Sequence, residues 1–229
     1  MSLADVQSLV DDLVRDTDQV ITSSQRDTAI ANAVLRYSAD APRRVVEDVV
    51  VDSGGNLPAP SFWLDDSSRV LRAEYPIGVR PASYIPGELI DTVATPAGVT
   101  IVLLGGIADG ETVRLAYTAA HALEVGTDTI PAQHRRAVAA LAGSDLCGQL
   151  AAQYSNESAP TISADTVDHK GKSDRWRARS RDLMAEYTRV VGSAPSERTK
   201  PASVDVPLVR TDSLGGRRLF HPTTGWPRT

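Results

Sequence analysis

Four histidines, one cysteine and a Gly-Lys-Ser tripeptide are the residues of this 229-residue chain most able to support metal, nucleophilic or phosphate chemistry. His121, His134, His169 and His221 each lack a second His, Cys or Glu at a spacing that sets two ligands on one helical face. Asp165, Asp168 and His169 come nearest to a ligand set, but carboxylates at the positive end of a helix explain that pattern equally well. Gly171-Lys172-Ser173 matches the end of a phosphate-binding loop. Such a loop needs glycine at position 166, where Thr166 stands, and an apolar strand leading into it. Cys147 and His134 could form a nucleophile and its base, yet thirteen positions along one helix is about 20 Å of rise, beyond hydrogen-bond reach. Ser144 lacks the Gly-x-Ser-x-Gly elbow. Asn156-Glu157-Ser158 has the form of a glycosylation sequon, without a basic, apolar leader at the N-terminus. The expectation is no catalytic set, no cofactor and no metal site.

A basic cluster, Lys170, Lys172, Arg175, Arg177, Arg179 and Arg181, is the last chemical candidate. Asp174, Asp182 and Glu186 interleave with it, so helical ion pairs on a solvated face compete with nucleic-acid binding. Charge is divided along the chain. Residues 1–130 carry 9 basic and 19 acidic side chains, a balance of −10, and residues 131–229 carry 15 and 10, a balance of +5. Subunits that pack front to back can use such a division, and so can two unrelated solvated faces.

The elements that position these residues follow from periodicity. Ser2 is a good N-cap with Asp5 three residues on, and Leu3, Val6, Val10, Leu13 and Val14 form one helical stripe to about Arg15. A second helix is expected after Ser24, with Ile30, Ala33, Val34 and Tyr37 inward, ending before Pro42. From Arg44 to Ala119 the period changes to two. Val45-Val46 and Val49-Val50-Val51 read as a strand, followed by the turn Asp52-Ser53-Gly54-Gly55. Leu71, Ala73 and Tyr75 alternate with Val70, Arg72 and Glu74. Thr95-Pro96-Ala97-Gly98 reads as a turn between strands at 90–94 and 99–104, and Val113, Leu115 and Tyr117 alternate again.

Helical period returns after Asp128, with Pro131 in the first turn. Val138, Leu141, Ala142, Leu146, Leu150 and Tyr154 form one face, and Asp145 and Gln149 beside it suggest a polar helix contact. Cys147 reads as a small core residue. Residues 155–164 read as a loop. A last helix, from about Asp165 or Lys172 to Val191, places Trp176, Leu183, Met184, Tyr187, Val190 and Val191 on one side, with Gly192 as its cap. The expected fold is α+β: a four-helix bundle built from residues 1–43 and 121–192, with an inserted small antiparallel β domain (sandwich or open barrel) at 44–120. Residues 193–229 hold five prolines and a charge balance of +3, and form an extended C-terminal arm. Leu208, Leu219, Phe220 and Trp226 are apolar anchors that a solvating tail would not need, so the arm is expected to order on a partner. No apolar run approaches the roughly 18 residues of a membrane span. The chain is expected to be soluble and made in the cytoplasm.

Three stretches carry a resemblance. Asp12-Leu-Val-Arg-Asp-Thr-Asp running on to Arg26-Asp-Thr-Ala-Ile-Ala-Asn-Ala-Val-Leu-Arg-Tyr-Ser resembles the opening of head–tail connector (adaptor) proteins of long-tailed bacteriophages. Asp128-Thr-Ile-Pro-Ala-Gln-His-Arg-Arg-Ala-Val-Ala-Ala-Leu-Ala through Leu150-Ala-Ala-Gln-Tyr-Ser is similar to the same family, as is Asp165-Thr-Val-Asp-His-Lys-Gly-Lys-Ser before a charged helix. The likeness covers about residues 1–192 and consists of packing residues, not catalytic ones.

The resemblance implies a non-enzymatic virion subunit of a homo-oligomeric ring, commonly a dodecamer, beneath the portal protein. Genomic DNA would pass through its lumen without sequence-specific binding, and a stopper or tail-terminator protein would bind its far side. The role of a portal-docking extension would fall on the arm, with Leu208, Leu219, Phe220 and Trp226 as anchors and Arg217 and Arg218 as charged contacts. A stopper or tail-terminator subunit is the nearest alternative. An enzyme with a dispersed active site and a DNA-binding module are more distant ones.

Overall fold

The computed structural model describes residues 2–96, 98–156, 169–192, 209–211 and 217–219. The fold is α+β. Four helices flank, in sequence, an open antiparallel β part that is not a barrel.

Helix α1 spans Leu3–Val14 and begins in a reciprocal cap. The Ser2 hydroxyl accepts from the Asp5 amide at 3.4 Å, and the Asp5 carboxylate accepts from the Ser2 amide at 2.6 Å. Val6, Val10, Leu13 and Val14 are its buried stripe, as the spacing predicts. Helix α2, Ser23–Asp40, starts two residues before the expected Ser24 boundary suggests. Thr22 and Gln25 form its capping box, which sets the start of the helix at Ser23. It ends at Ala41, ahead of Pro42.

The β part contains two sheets. Strands β1 (Arg43–Val50), β3 (Val70–Glu74), β4 (Tyr84–Ile85) and β7 (Thr112–Ala119) form one, in the order β1-β7-β3-β4. Strands β2 (Asn56–Pro58), β5 (Ile90–Thr95) and β6 (Gly98–Leu103) form the other, in the order β2-β6-β5. Val49, Ala73, Val113, Leu115 and Tyr117 from the first sheet pack with Leu57, Ile101 and Leu103 from the second in one apolar core. Burial alternates along β7 from Thr112 to Tyr117, with Val113, Leu115 and Tyr117 fully buried, and Thr118 and Ala119 are buried as well. Along β3 it fails. A register shift between Val70 and Arg72 turns Leu71 outward, so only Ala73 of that strand is buried.

A small hairpin, β8 (Leu123–Glu124) with β9 (Thr127–Asp128), leads back to the helices. Pro131 is extended instead of helical; it precedes a single 3-10 turn, Ala132–His134, and α3 runs Arg135–Asn156. The predicted single apolar face of α3 understates its burial, because every residue from Ala137 to Ser144 is buried. This helix is central and packs against α1, α2 and α4 (His169–Val191). Small side chains permit that crowding. A Cβ on Gly143 would meet Leu183 Cδ1 at 3.3 Å and Val14 Cγ2 at 3.5 Å. The Ser144 hydroxyl donates to the Ser180 carbonyl, and the Ser180 hydroxyl donates to the Ser144 carbonyl, each at 2.9 Å.

Leu183, Tyr187 and Val191 of α4 are buried as expected, whereas Val190 is exposed. Gly192 closes the helix with a left-handed φ of 84°, its amide bonding Thr188 O at 2.7 Å. Residues Arg198–Thr229 are a separate compact unit from Met1–Glu197. Within it, β10 (Val209–Thr211) pairs antiparallel with β11 (Arg217–Leu219).

Candidate interaction surfaces

Several of the residues singled out for chemistry hold the fold together; His221 and the side chain of His169 lie outside what the structure describes. Cys147 is fully buried in the helical core, and burial pushes its thiol up to about 11, the opposite of an activated nucleophile. Ser144 bonds helix α4, as described. Gly171-Lys172-Ser173 lies within the first turns of α4, not in a loop that could cradle a phosphate. There the Ser173 hydroxyl donates to Ala151 O at 2.9 Å, and Lys172 Nζ reaches Asp18 Oδ2 at 2.6 Å. Asp165 and Asp168 lie outside the described residues. Among the described residues no three His, Cys, Asp or Glu side chains converge on a point that could hold a metal.

His121 and His134 meet at the junction of the helical and β parts. Tyr37 Oη lies 2.6 Å from His134 Nδ1, and its ring lies 4.8 Å from that of His121. His121 Nε2 faces Ala41 O at 3.0 Å, while Nδ1 faces Thr129 O at 3.0 Å and Thr129 Oγ1 at 3.2 Å. Burial holds the imidazole below its ordinary range, against the pull of those two carbonyls; Arg43 and His134 push the same way as burial. In the neutral imidazole only one ring nitrogen donates, so only one of the carbonyls Ala41 O and Thr129 O receives its N–H. This arrangement clasps the end of α2 to the strand leaving β7.

Much of the basic cluster is likewise occupied. Lys172 holds Asp18 and lies 3.9 Å over the Tyr154 ring, and the Tyr154 hydroxyl donates to the same Asp18 oxygen at 2.9 Å. Lys172 is the first cause that keeps the Asp18 carboxyl below the usual range. Arg179 donates to Leu13 O at 3.0 Å, placing a second cation at the carboxyl end of α1, where Arg15 at the C-cap donates to Asp12 O at 3.3 Å. Arg177 sits 3.8 Å from Asp174. Asp145 and Gln149 are exposed and line a groove with Ser24, Thr28 and Asn32 of α2, at the polar margin between the two helices.

Of the predicted docking residues, Arg217, Arg218 and Leu219 stand in β11, opposite Thr211, Arg210 and Val209. Leu208, Phe220 and Trp226 lie outside the described residues.

Two surfaces of the β part escaped sequence reasoning. The first is a loop pinned to the inner side of β1. Glu47 accepts from the Ser61 hydroxyl at 2.7 Å and the Ser61 amide at 3.1 Å, and Tyr117 Oη donates to it at 3.0 Å. The Ser61 hydroxyl is the first cause that keeps the Glu47 carboxyl below its usual range, outweighing burial. The loop thereby presents Phe62, 56% exposed, under the Arg43 guanidinium at 4.6 Å, with Leu64 exposed beside it. Alternation could not reveal this, since a glutamate in a valine-rich strand normally marks the solvated face.

The second is the outer face of the four-stranded sheet. Asp48, Arg114 and Glu74 form a ladder across β1, β7 and β3, with a bidentate Arg114–Asp48 pair at 2.7 and 2.9 Å and Glu74 at 3.9 Å. Val46 and Val50 flank it on β1, 62% and 53% exposed.

No family model and no curated protein matches the chain.

Proposed function

We propose that this chain is a structural, ring-forming subunit, and specifically a head–tail connector of a tailed bacteriophage. It would join the portal protein to a stopper or tail-terminator protein around the passing genome. The observation that carries this reading is where its apolar and titratable side chains stand. Phe62, Leu104 and Val125 are exposed on loops and hairpins of the β part, while His121, His134, Ser144, Cys147 and Lys172 bind elements of the fold to one another. Apolar groups held on rigid supports suit contact with neighbouring subunits better than turnover of a substrate. The resemblance of residues 1–192 to connector proteins supplies the particular assignment. A commonly twelve-fold ring, with the arm at 193–229 on the portal, follows from it.

Truncation after Gly192 tests the docking role. The shortened protein is expected to keep the circular dichroism and melting behaviour of the helices and sheets, and to lose capture by purified portal. Portal capture equal to that of the full chain would refute that role.

A further inference from the structure

We propose that β1 is a self-complementary docking edge, covered in the free protein by β1 of a second copy of this chain. The contact is isologous, so it is not one of the head-to-tail contacts that would close a ring, and it does not rest on the connector reading.

The backbone defines the edge. Val51 N–H donates to Glu111 O at 2.8 Å beyond the β1–β7 ladder, and Thr118 N–H donates to Arg69 O at 2.9 Å on the other side of β7. With the observed register, Val45, Glu47 and Val49 bond β7, and Arg44, Val46, Asp48 and Val50 turn their N–H and C=O groups away from it. These outward groups have no hydrogen-bond partner among the described residues. The other free edges are blunted. Strand β2 has three residues and ends in Pro58, and β4 has two and is followed by Pro86. In β5 the Asp91 carboxylate takes the Thr92 amide at 2.8 Å. Proline, shortness and an edge carboxylate are the usual protections against strand addition. Strand β1 has eight residues, no proline and two exposed valines.

Its charges would ordinarily repel an identical strand, but their spacing does the reverse. When two copies pair antiparallel about Val46, outward-facing residues must meet outward-facing residues. Arg44 then lies opposite Asp48 of the second copy, Val46 opposite Val46, and Asp48 opposite Arg44. Arg44 has no ion-pair partner among the described residues. Asp48 uses its two oxygens on Arg114 and retains lone pairs for a second guanidinium. A register one pair toward the carboxyl end sets Glu47 against Glu47. One pair the other way shortens the overlap and enlists Arg43 and Glu47, already held by Phe62 and Ser61. The Val46-centred register forms about six backbone hydrogen bonds and joins the two four-stranded sheets into one.

The test is crosslinking of the full chain at single positions. Cys147 is buried, so Val46→Cys supplies the accessible thiol. Hydrogen-bonded antiparallel partners have Cα atoms about 5.5 Å apart, within disulfide range. Mild oxidation is expected to give a covalent dimer with Val46→Cys and none with Val50→Cys, which would face Pro42. Sedimentation should show the parent protein as a dimer in the micromolar range and Val46→Pro as a monomer with unchanged circular dichroism, because that amide serves no bond within the fold. A monomeric parent, a dimer that survives Val46→Pro, or crosslinking at Val50→Cys alone would overturn the proposal. A closed ring without the Val46→Cys crosslink would also overturn it, and would leave the connector reading standing.

Discussion

The hydroxyl of Tyr187 donates to Asp40 Oδ2 at 2.6 Å, tying the last helix to the end of the second across 147 positions of sequence. Burial first, and then that bond, raises the phenol above its ordinary range. This contact spans the inserted β part and joins the helices that precede it to those that follow it. Tyr187→Phe keeps the buried ring and removes only the donor. A hydrogen bond to a charged group is worth roughly 2 kcal/mol. The expected result in thermal denaturation is a Tm lower by about 4–8 °C, with secondary structure unchanged.

Two glycines of α3 should respond in opposite ways. Gly143→Leu forces a side chain against Leu183 and Val14, and such overpacking costs about 1–3 kcal/mol or prevents folding. At Gly148 the nearest atom to a new Cβ is Ser180 Oγ at 3.9 Å, an ordinary contact. Gly148→Ala is therefore expected to stabilise by up to about 1 kcal/mol through helix propensity. Urea midpoints of the two variants check the contrast.

His121 gives stability a pH dependence with a definite sign. Its folded value lies below the ordinary 6.5, so the unfolded chain takes up a proton first as pH falls. The stability it contributes is complete above pH 6.5 and is lost as pH falls through the lowered folded value. Urea midpoints measured downward from pH 7.5 should decline below that point. His121→Gln should start less stable and decline less steeply.

Glu47 is the anchor of the loop that presents Phe62. Glu47→Ala removes acceptors from Ser61 and Tyr117 together. Proteolysis or hydrogen exchange at residues 59–68 is expected to accelerate markedly, with α1 to α4 unaffected.

The helices were legible in the sequence because their apolar residues recur at three- and four-residue steps and their ends carry caps. Ser2 with Asp5 and Gly192 marked boundaries that the structure reproduces. Strand β7 was legible from alternation, β6 from its unbroken apolar run, and the turn between β5 and β6 from Pro96 and Gly98. Short strands such as β2 and β4 were not, since two or three residues carry no period. Leu71 and Val190 were misplaced for different reasons. A bulge inverts the first, and the second borders a helix end where the stripe has drifted. The surfaces on β1 were invisible because Arg-Arg-Val-Val-Glu-Asp-Val-Val doubles each residue type, so either face could be inward. Only the register with β7 decides that Glu47 faces in and Val46 faces out.

The central claim is that this chain acts by fitting to neighbours in a ring at the head–tail junction. Electron cryomicroscopy of the purified virion neck, with this chain labelled, tests that most directly. The expected result is a closed cyclic ring of this subunit between portal and tail components, with density for residues 193–229 on the portal. Labelled chain absent from the neck, or present as isolated copies touching neither head nor tail components, would contradict it.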